Sequence, residues 1–229
     1  MTDIVLKGLN EMVDGNINIV GLDLTTLPDS PKWKDVTKLN CRYNLLSQLP
    51  DLPSVKILIC DGNRLTTLPK LPVIEELICM DNQLTMLPEL QMVKVLNCCY
   101  NELTELPEMP IVELLSCDYN LLTVLPEMPI VELLYCGNNQ LTILPELPNI
   151  KKLKYQENPL YYNPKFIKLH WAIINFITLK IYVSRWKRFN QRIVSAKKQD
   201  LHIELKYSPD LPFYKETEEY QHWLENTRD

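Results

Sequence analysis

Cysteine is the residue type whose number and spacing in this chain could support chemistry. Six of the seven cysteines recur at intervals of 19 residues, namely Cys41, Cys60, Cys79, Cys98, Cys117 and Cys136. Zinc sites need Cys-x-x-Cys pairs or neighbouring histidines, and neither accompanies these cysteines. Identical strands packed side by side would hold them with parallel Cβ directions, which suits packing rather than disulfide geometry. We therefore favour a buried column over a metal or redox site, and we expect no cofactor.

The seventh cysteine, Cys99, directly follows Cys98 in the sequence. In a strand, successive side chains point to opposite faces. Cys99 is therefore expected to face outward and to be accessible.

Catalytic residues are not indicated by the remaining pattern. The three histidines, His170, His202 and His222, all lie beyond the periodic region. The sequence contains no Gly-x-Ser-x-Gly, phosphate-loop or HExxH motif. We predict that the chain is not an enzyme. One alternative keeps an enzymatic or regulatory site in the C-terminal region that would involve the histidines and Glu204.

An asparagine recurs on the same spacing as the cysteines and marks the unit that must position them. It is found at Asn44, Asn63, Asn82, Asn101, Asn120, Asn139 and Asn158, each 19 residues after the last. The first copy of the unit reads Val36-x-x-Leu39-x-Cys41-x-x-Asn44-x-Leu46-x-x-Leu49-Pro50-x-Leu52-Pro53. A fixed period of this length is typical of a solenoid.

The pattern of each unit predicts a short strand followed by an extended segment, the return, that leads back to the start of the next strand. Leu39 and Cys41 alternate with polar neighbours, which is the period of a strand. The two prolines favour polyproline-like backbone on the way back. Where each strand ends, the chain turns inward and leaves buried backbone groups that need partners. The Asn amide offers two donors and an acceptor, so we expect it to brace neighbouring coils.

This pattern resembles the leucine-rich repeat family. The consensus LxxLxLxxNxLxxLP covers residues 36–160 in seven copies, with Cys in place of Leu three residues before the Asn in six of them. The short period and paired prolines are similar to repeats of bacterial effector proteins and some large DNA viruses. The resemblance implies an α/β solenoid with a concave parallel sheet and an extended convex side. Some such effectors also carry a cysteine-dependent ubiquitin ligase domain, but no cysteine follows Cys136, so that activity is not carried over.

Three segments are expected along the chain. Residues 1–35 form an N-terminal cap with a degenerate repeat, in which Val5, Leu9, Met12 and Val13 are spaced for a short helix. Residues 36–160 form seven repeats, and residues 161–229 form a mostly helical C-terminal cap or tail. Residues 159–199 carry nine Lys or Arg and no acid. This basic stretch is interpreted as a cap helix, with docking of a second partner or contact with acidic lipid left open.

Charge and hydropathy also bear on partners and compartment. A net charge of −5 argues against nucleic-acid binding. No apolar run approaches the ~20 residues of a membrane helix, and the N-terminus lacks a secretory signal pattern. A reducing, cytoplasmic location is expected, which would be the host cytoplasm if the source is a virus or a bacterial effector.

The predicted binding surface is the concave face, which we define as the residues two, four and six positions before each repeat Asn. Exposed aliphatic residues among polar ones favour a site for a protein partner. Burial of this face by terminal segments, or a merely β-prone surface, are the alternatives, and the oligomeric state is open. The predicted contact residues are Arg42, Ile57, Ile59, Asp61, Glu76, Ile78, Met80, Val95, Asn97, Leu114, Ser116, Asp118, Leu133 and Tyr135.

Overall fold

The computed structural model describes residues 2–162 of the chain. The expected helical cap, the basic stretch, the histidines and Glu204 all lie outside the described residues. None of the helices within residues 2–162 is long and apolar enough to cross a membrane.

Short strands that recur once per repeat make a single parallel sheet. Neighbouring strands follow chain order from β1 to β8, because the chain returns after every strand and adds the next one beside it. The register repeats the sequence period, since Leu39 pairs with Leu58 and Leu58 with Leu77. The strands are β1 Asn16–Asn18, β2 Lys38–Asn40, β3 Ile57–Ile59, β4 Glu76–Ile78, β5 Val95–Asn97, β6 Leu114–Ser116, β7 Leu133–Tyr135 and β8 Lys152–Lys154.

The degenerate first copy forms a true coil of the solenoid, and helix α1 (Thr2–Asn10) packs onto it. Val5 and Leu9 are buried, as the helical spacing predicts. Met12 and Val13 lie beyond the end of the helix, and Val13 is 71% exposed, so their assignment to the helix was wrong. The chain is already turning there toward β1.

A longer return separates β1 from β2 and holds a 3-10 helix over Pro31–Asp35. Trp33 from this helix is buried, and its indole N–H donates to the Pro28 carbonyl at 2.9 Å. Gly15 is required at the start of the coil, because its φ is +70° and a Cβ there would lie 2.8 Å from the Asp35 carbonyl oxygen. A second 3-10 helix, Pro159–Tyr162, follows β8.

The core is a stack of identical layers. Each repeat contributes the central strand leucine, the cysteine and a leucine after the Asn, and all of these are fully buried in the coils of β2 to β7. The returns are extended. Each return segment ends in a turn, in which a backbone N–H donates to the carbonyl oxygen three residues earlier. In one repeat, the Val93 N–H donates to the Leu90 carbonyl at 3.4 Å. The fold expected from the repeat is confirmed for the described residues.

The repeat asparagines brace adjacent coils as predicted. The Asn101 Oδ1 accepts the Leu84 backbone N–H at 3.0 Å. Its Nδ2 donates to the Cys79 carbonyl of the preceding coil at 3.0 Å and to the Cys98 carbonyl of its own coil at 3.1 Å. The same pattern recurs at each repeat, and no fully buried side-chain polar atom in residues 2–162 is left without a partner.

The residue just before each repeat Asn adopts a left-handed backbone conformation. Its φ lies between +53° and +63° in all seven copies, at Tyr43, Gly62, Asp81, Tyr100, Tyr119, Asn138 and Glu157. Gly, Asn and Asp reach this region at little cost, whereas other residues pay of order 1–2 kcal/mol. The left-handed residue turns the chain inward and aims the following Asn at the neighbouring coil.

A single brace can be tested with Asn139→Ala. This change removes acceptor Oδ1 from the Leu122 N–H and donor Nδ2 from the Cys117, Cys136 and Gly137 carbonyls. We expect the free energy of unfolding to fall by about 2 kcal/mol or more, because buried backbone groups lose their partners. Urea unfolding followed by circular dichroism measures it. The neighbouring exposed amide provides the control Gln140→Ala, which should change stability by less than about 0.5 kcal/mol; equal losses would contradict the brace.

Candidate functional site

The concave face is made of three parallel columns that run across the strands. Neighbours within a column belong to adjacent strands and are in register, so they are about 4.8 Å apart. The first column is Lys38, Ile57, Glu76, Val95, Leu114, Leu133 and Lys152. The second column is Asn40, Ile59, Ile78, Asn97, Ser116, Tyr135 and Lys154. The third column, just past the strand ends, is Arg42, Asp61, Met80, Cys99, Asp118, Gly137 and Gln156.

Most predicted contact residues on this face are half-buried rather than fully exposed. Only Arg42 is exposed and only Asp61 is buried among the fourteen. Side chains that stand side by side at the strand spacing cover one another's flanks, which accounts for the partial burial. The half-buried residues keep part of their surface accessible, so a partner could bury them further.

The aliphatic residues of the face form a continuous strip, the apolar band. Val95 pairs with Leu114 and Leu114 with Leu133 in the first column. Ile59 pairs with Ile78 in the second column. Diagonal neighbours on adjacent strands lie about 7–8 Å apart, so these two stretches join between β4 and β5. The apolar band consists of Ile57, Ile59, Ile78, Val95, Leu114 and Leu133.

Exposed basic residues bound the apolar band at both ends. Lys38 of β2 pairs with Ile57 of β3, and Lys152 of β8 pairs with Leu133 of β7. At the β8 end the Nζ atoms of Lys152 and Lys154 lie 5.3 and 5.4 Å from the Tyr135 ring centroid, within cation–π range. The apolar band therefore has positively charged ends, while Glu76 interrupts the aliphatic residues of the first column.

Two separate groups of ion pairs line the side where the strands begin. Glu75 lies between Lys56, at 3.9 Å, and Lys94, at 3.0 Å. A hydrogen bond from Lys94 and its charge hold the pKa of Glu75 below its ordinary value. Glu132 pairs with Lys151 farther along. These groups are solvent-exposed, so each pair adds little stability, but the pairing neutralises this rim.

Asp61 is a predicted contact residue that the structure buries. It is 7% exposed and stands in the third column between the longer side chains of Arg42 and Met80. Burial raises the pKa of the Asp61 carboxyl. A backbone hydrogen bond and the Arg42 charge partly oppose this rise, and the Asp81 carboxylate adds slightly to it. Asp61 is therefore less available to a partner than its sequence position indicates.

Asp118 is tied to the coils on both sides of it. Its Oδ1 accepts the Gly137 backbone N–H at 2.8 Å, and its Oδ2 accepts from the Cys99 thiol at 3.6 Å. Glycine at 137 leaves room for this contact, because a Cβ there would lie 3.0 Å from the Asp118 Oδ1 and 3.2 Å from the Gln156 carbonyl. This carboxylate is engaged within the fold, which leaves it few open positions for a partner.

The prediction that Cys99 is accessible was wrong. Cys99 does occupy an outward column, but it is only 8% exposed because it lies between Met80 and Asp118 and contacts the latter. Burial first, and then the Asp118 charge, raises the pKa of its thiol to about 12. The six cysteines of the inward column are fully buried and free, as predicted. Within residues 2–162 no group of His, Cys, Asp and Glu is arranged to hold a metal ion.

A tyrosine pair beside the concave face was missed by the sequence reasoning. Tyr100 and Tyr119 occupy the left-handed position, remain about half exposed, and stack with ring centroids 4.3 Å apart. Gly62, Asp81 and Asn138 stand at the same repeat position, and residues of these types are the signal that could have revealed a left-handed turn there.

The buried carboxyl of Asp61 can be tested by pH. Its pKa is higher in the folded than in the unfolded chain, so its protonated form stabilises the fold at low pH and that contribution is lost as pH rises through the folded pKa. Asp61→Asn cannot ionise, so it should not show this loss of stability as the pH rises. As the pH rises above about 4, the ordinary pKa of Asp, the variant should lose less stability than wild type in urea unfolding. Asp51→Asn, at an exposed site on the return, should show no such gain.

The burial of the thiols can be tested by labelling. Because all seven cysteines are buried, the native chain should not react with a thiol-specific disulfide reagent within minutes at pH 8, and all seven should react in urea. Ser116→Cys places a thiol on the half-buried second column and should add one fast-reacting group. Rapid labelling of Cys99 in the native chain would refute its buried position.

Comparisons with known proteins match this architecture. YopM, a leucine-rich effector protein from Yersinia pestis, is 33% identical over 67% of this chain and 46% of YopM, with a TM-score of 0.60. The chain thus spans less than half the length of that protein. A leucine-rich repeat protein from Leptospira interrogans is 25% identical over 70% of this chain and 53% of its own, with a TM-score of 0.53.

The leucine-rich repeat domain of a Shigella effector is matched over most of its length. It is 30% identical over 73% of this chain and 80% of the domain, with a TM-score of 0.62. No protein-family model and no curated protein sequence matches the chain. The period, the braced coils and this shared structure together establish that the chain belongs to the leucine-rich repeat family and is related to the repeats of bacterial effectors.

Proposed function

We propose that the chain is a noncatalytic scaffold that binds a partner protein on its concave face. The observation that carries this proposal is the apolar band, a strip of half-exposed aliphatic side chains that crosses β3 to β7 without a break. Contiguous apolar surface rimmed by polar groups is typical of interaction sites.

The rigidity of the sheet supports binding. Every coil is joined to the next by the strand ladder and by an Asn brace, so the side chains of the face are held in place before a partner arrives. A preformed surface loses little conformational entropy on association. The relation to effector proteins agrees with such a role, since YopM is described as a leucine-rich effector protein.

A reducing compartment forms part of the proposal. All seven cysteines are free and buried, and six of them serve as core residues. Free thiols in such number are typical of proteins that fold where disulfides do not form. We place the chain in the cytoplasm, or in a host cytoplasm if it is delivered as an effector.

The proposal predicts that charges introduced into the apolar band abolish partner capture. Ile78→Asp and Leu114→Asp put a carboxylate in the middle of the face, where desolvation on binding would be costly. Partners are captured by affinity from the cells in which the chain acts and are quantified by mass spectrometry. Each variant should capture at least tenfold less of the partners that wild type retains. Ile143→Asp is the matched control, because Ile143 is 63% exposed and lies outside the sheet. Undiminished capture by the band variants would refute the proposal.

A further inference from the structure

The first column of the concave face carries an ordered set of charges. Lys38 begins it, Glu76 stands two strands later, and Lys152 ends it four strands after that. Aliphatic residues fill the positions between them. Neither lysine forms an ion pair with another described residue, and the salt bridges of the adjacent rim involve Glu75 rather than Glu76. None of these three charges therefore has a counter-ion among the described residues, although Lys152 also lies over the Tyr135 ring, and a partner can supply the missing counter-ions.

The backbone of the face favours a helical occupant. The strand N–H and C=O groups point toward the neighbouring strands and are hydrogen-bonded within the sheet that runs from β1 to β8. The concave face therefore presents side chains only. An extended segment laid on it would find no backbone partners within the face and would leave its own polar groups desolvated. An α-helix satisfies its backbone internally and buries an apolar stripe in a groove.

The dimensions also fit one helix. Four residues of extended chain separate the first and third columns, which is about 13 Å, and a helix with side chains is about 10–12 Å wide. Lys38 and Lys152 are six strand spacings apart, or about 29 Å, the length of roughly 19 helical residues. Glu76 divides this length into about 10 and 19 Å, which correspond to roughly 6 and 13 residues of a helix.

We propose that the concave face recognises a single amphipathic α-helix of about 20 residues that lies across the strands, with acidic residues at both ends and a basic residue about two turns from one end. This inference rests on the proposed function and names the chemistry of its partner. The apolar band takes the hydrophobic stripe of the helix, Lys38 and Lys152 take its acids, and Glu76 takes its base. Since Glu76 is off centre, the charges specify one orientation of the bound helix.

Defined peptides test this directly. The probes are two fluorescein-labelled, alanine-based 21-residue helices with the same leucine stripe, one with acid–base–acid charges at the stated positions and one with every charge reversed. Fluorescence anisotropy with the full chain at low salt measures their affinities. The acid–base–acid peptide should bind at least tenfold more tightly. A proline-interrupted version of it should lose binding, because the proline breaks the helix.

Charge-swapped protein provides the second arm. The triple variant Lys38→Glu, Glu76→Lys, Lys152→Glu should reverse the peptide preference and favour base–acid–base. The matched control is Lys34→Glu, Lys70→Glu, Glu89→Lys, which makes the same charge changes at exposed positions outside the face and should leave the preference unchanged. Thermal unfolding by circular dichroism verifies that both variants are folded.

Three results would overturn the helix proposal: equal or no binding of the two peptides, an unchanged preference in the triple variant, or full binding of the proline-interrupted peptide. If any of these results is obtained while Ile78→Asp and Leu114→Asp still block partner capture, the helix and its charge pattern are refuted and the concave face stands as the binding site. Unaltered capture by those two variants would instead refute the concave face as the binding site.

Discussion

The structure depends on one constraint, which is that the backbone must be satisfied where each strand ends and the chain turns into the interior. The Asn side chain meets this constraint by joining carbonyls of two successive coils and accepting an amide from the return of the earlier one. The left-handed residue before it provides the direction of the turn. A Leu or Cys at a core position can be exchanged for another apolar residue of similar volume at modest cost. No apolar residue can replace the amide, since it would leave three or more buried groups unpaired.

The brace also determines what the outer surface can be. Because every coil is joined to the next with no shift in register, each outward position becomes a column, and a column can hold either a uniform surface or an ordered series of side chains. In this chain the columns differ. The first carries an aliphatic series interrupted by charges. In the third, Asp61 is buried, and Asp118 accepts hydrogen bonds from Gly137 and Cys99 of its own column. Under the proposed function, the first two columns therefore offer most of the surface available for recognition.

Much of the fold could be predicted from the sequence, because the constraints that produce it repeat. The spacing of Asn44 and its successors determines the register, and the alternation around Leu39 identifies the inward side of the strands. The errors on the concave face arose where neighbouring coils interact through side chains of particular lengths. Cys99 faces outward in register, yet Met80 and Asp118 cover it, and no period shows this. The stacking of Tyr100 on Tyr119 likewise depends on which two coils happen to carry tyrosine at the left-handed position.

The unbroken register has a consequence for how such a protein can change over time. A duplication of one whole 19-residue unit would insert a coil whose brace, turn and core layer are already complete. The sheet would become longer by one strand spacing while each existing coil kept the neighbours it needs, apart from the two at the junction. A surface of this kind can adjust its reach in fixed increments without redesigning its interior. Under the proposed function, the number of repeats would determine the length of the binding surface.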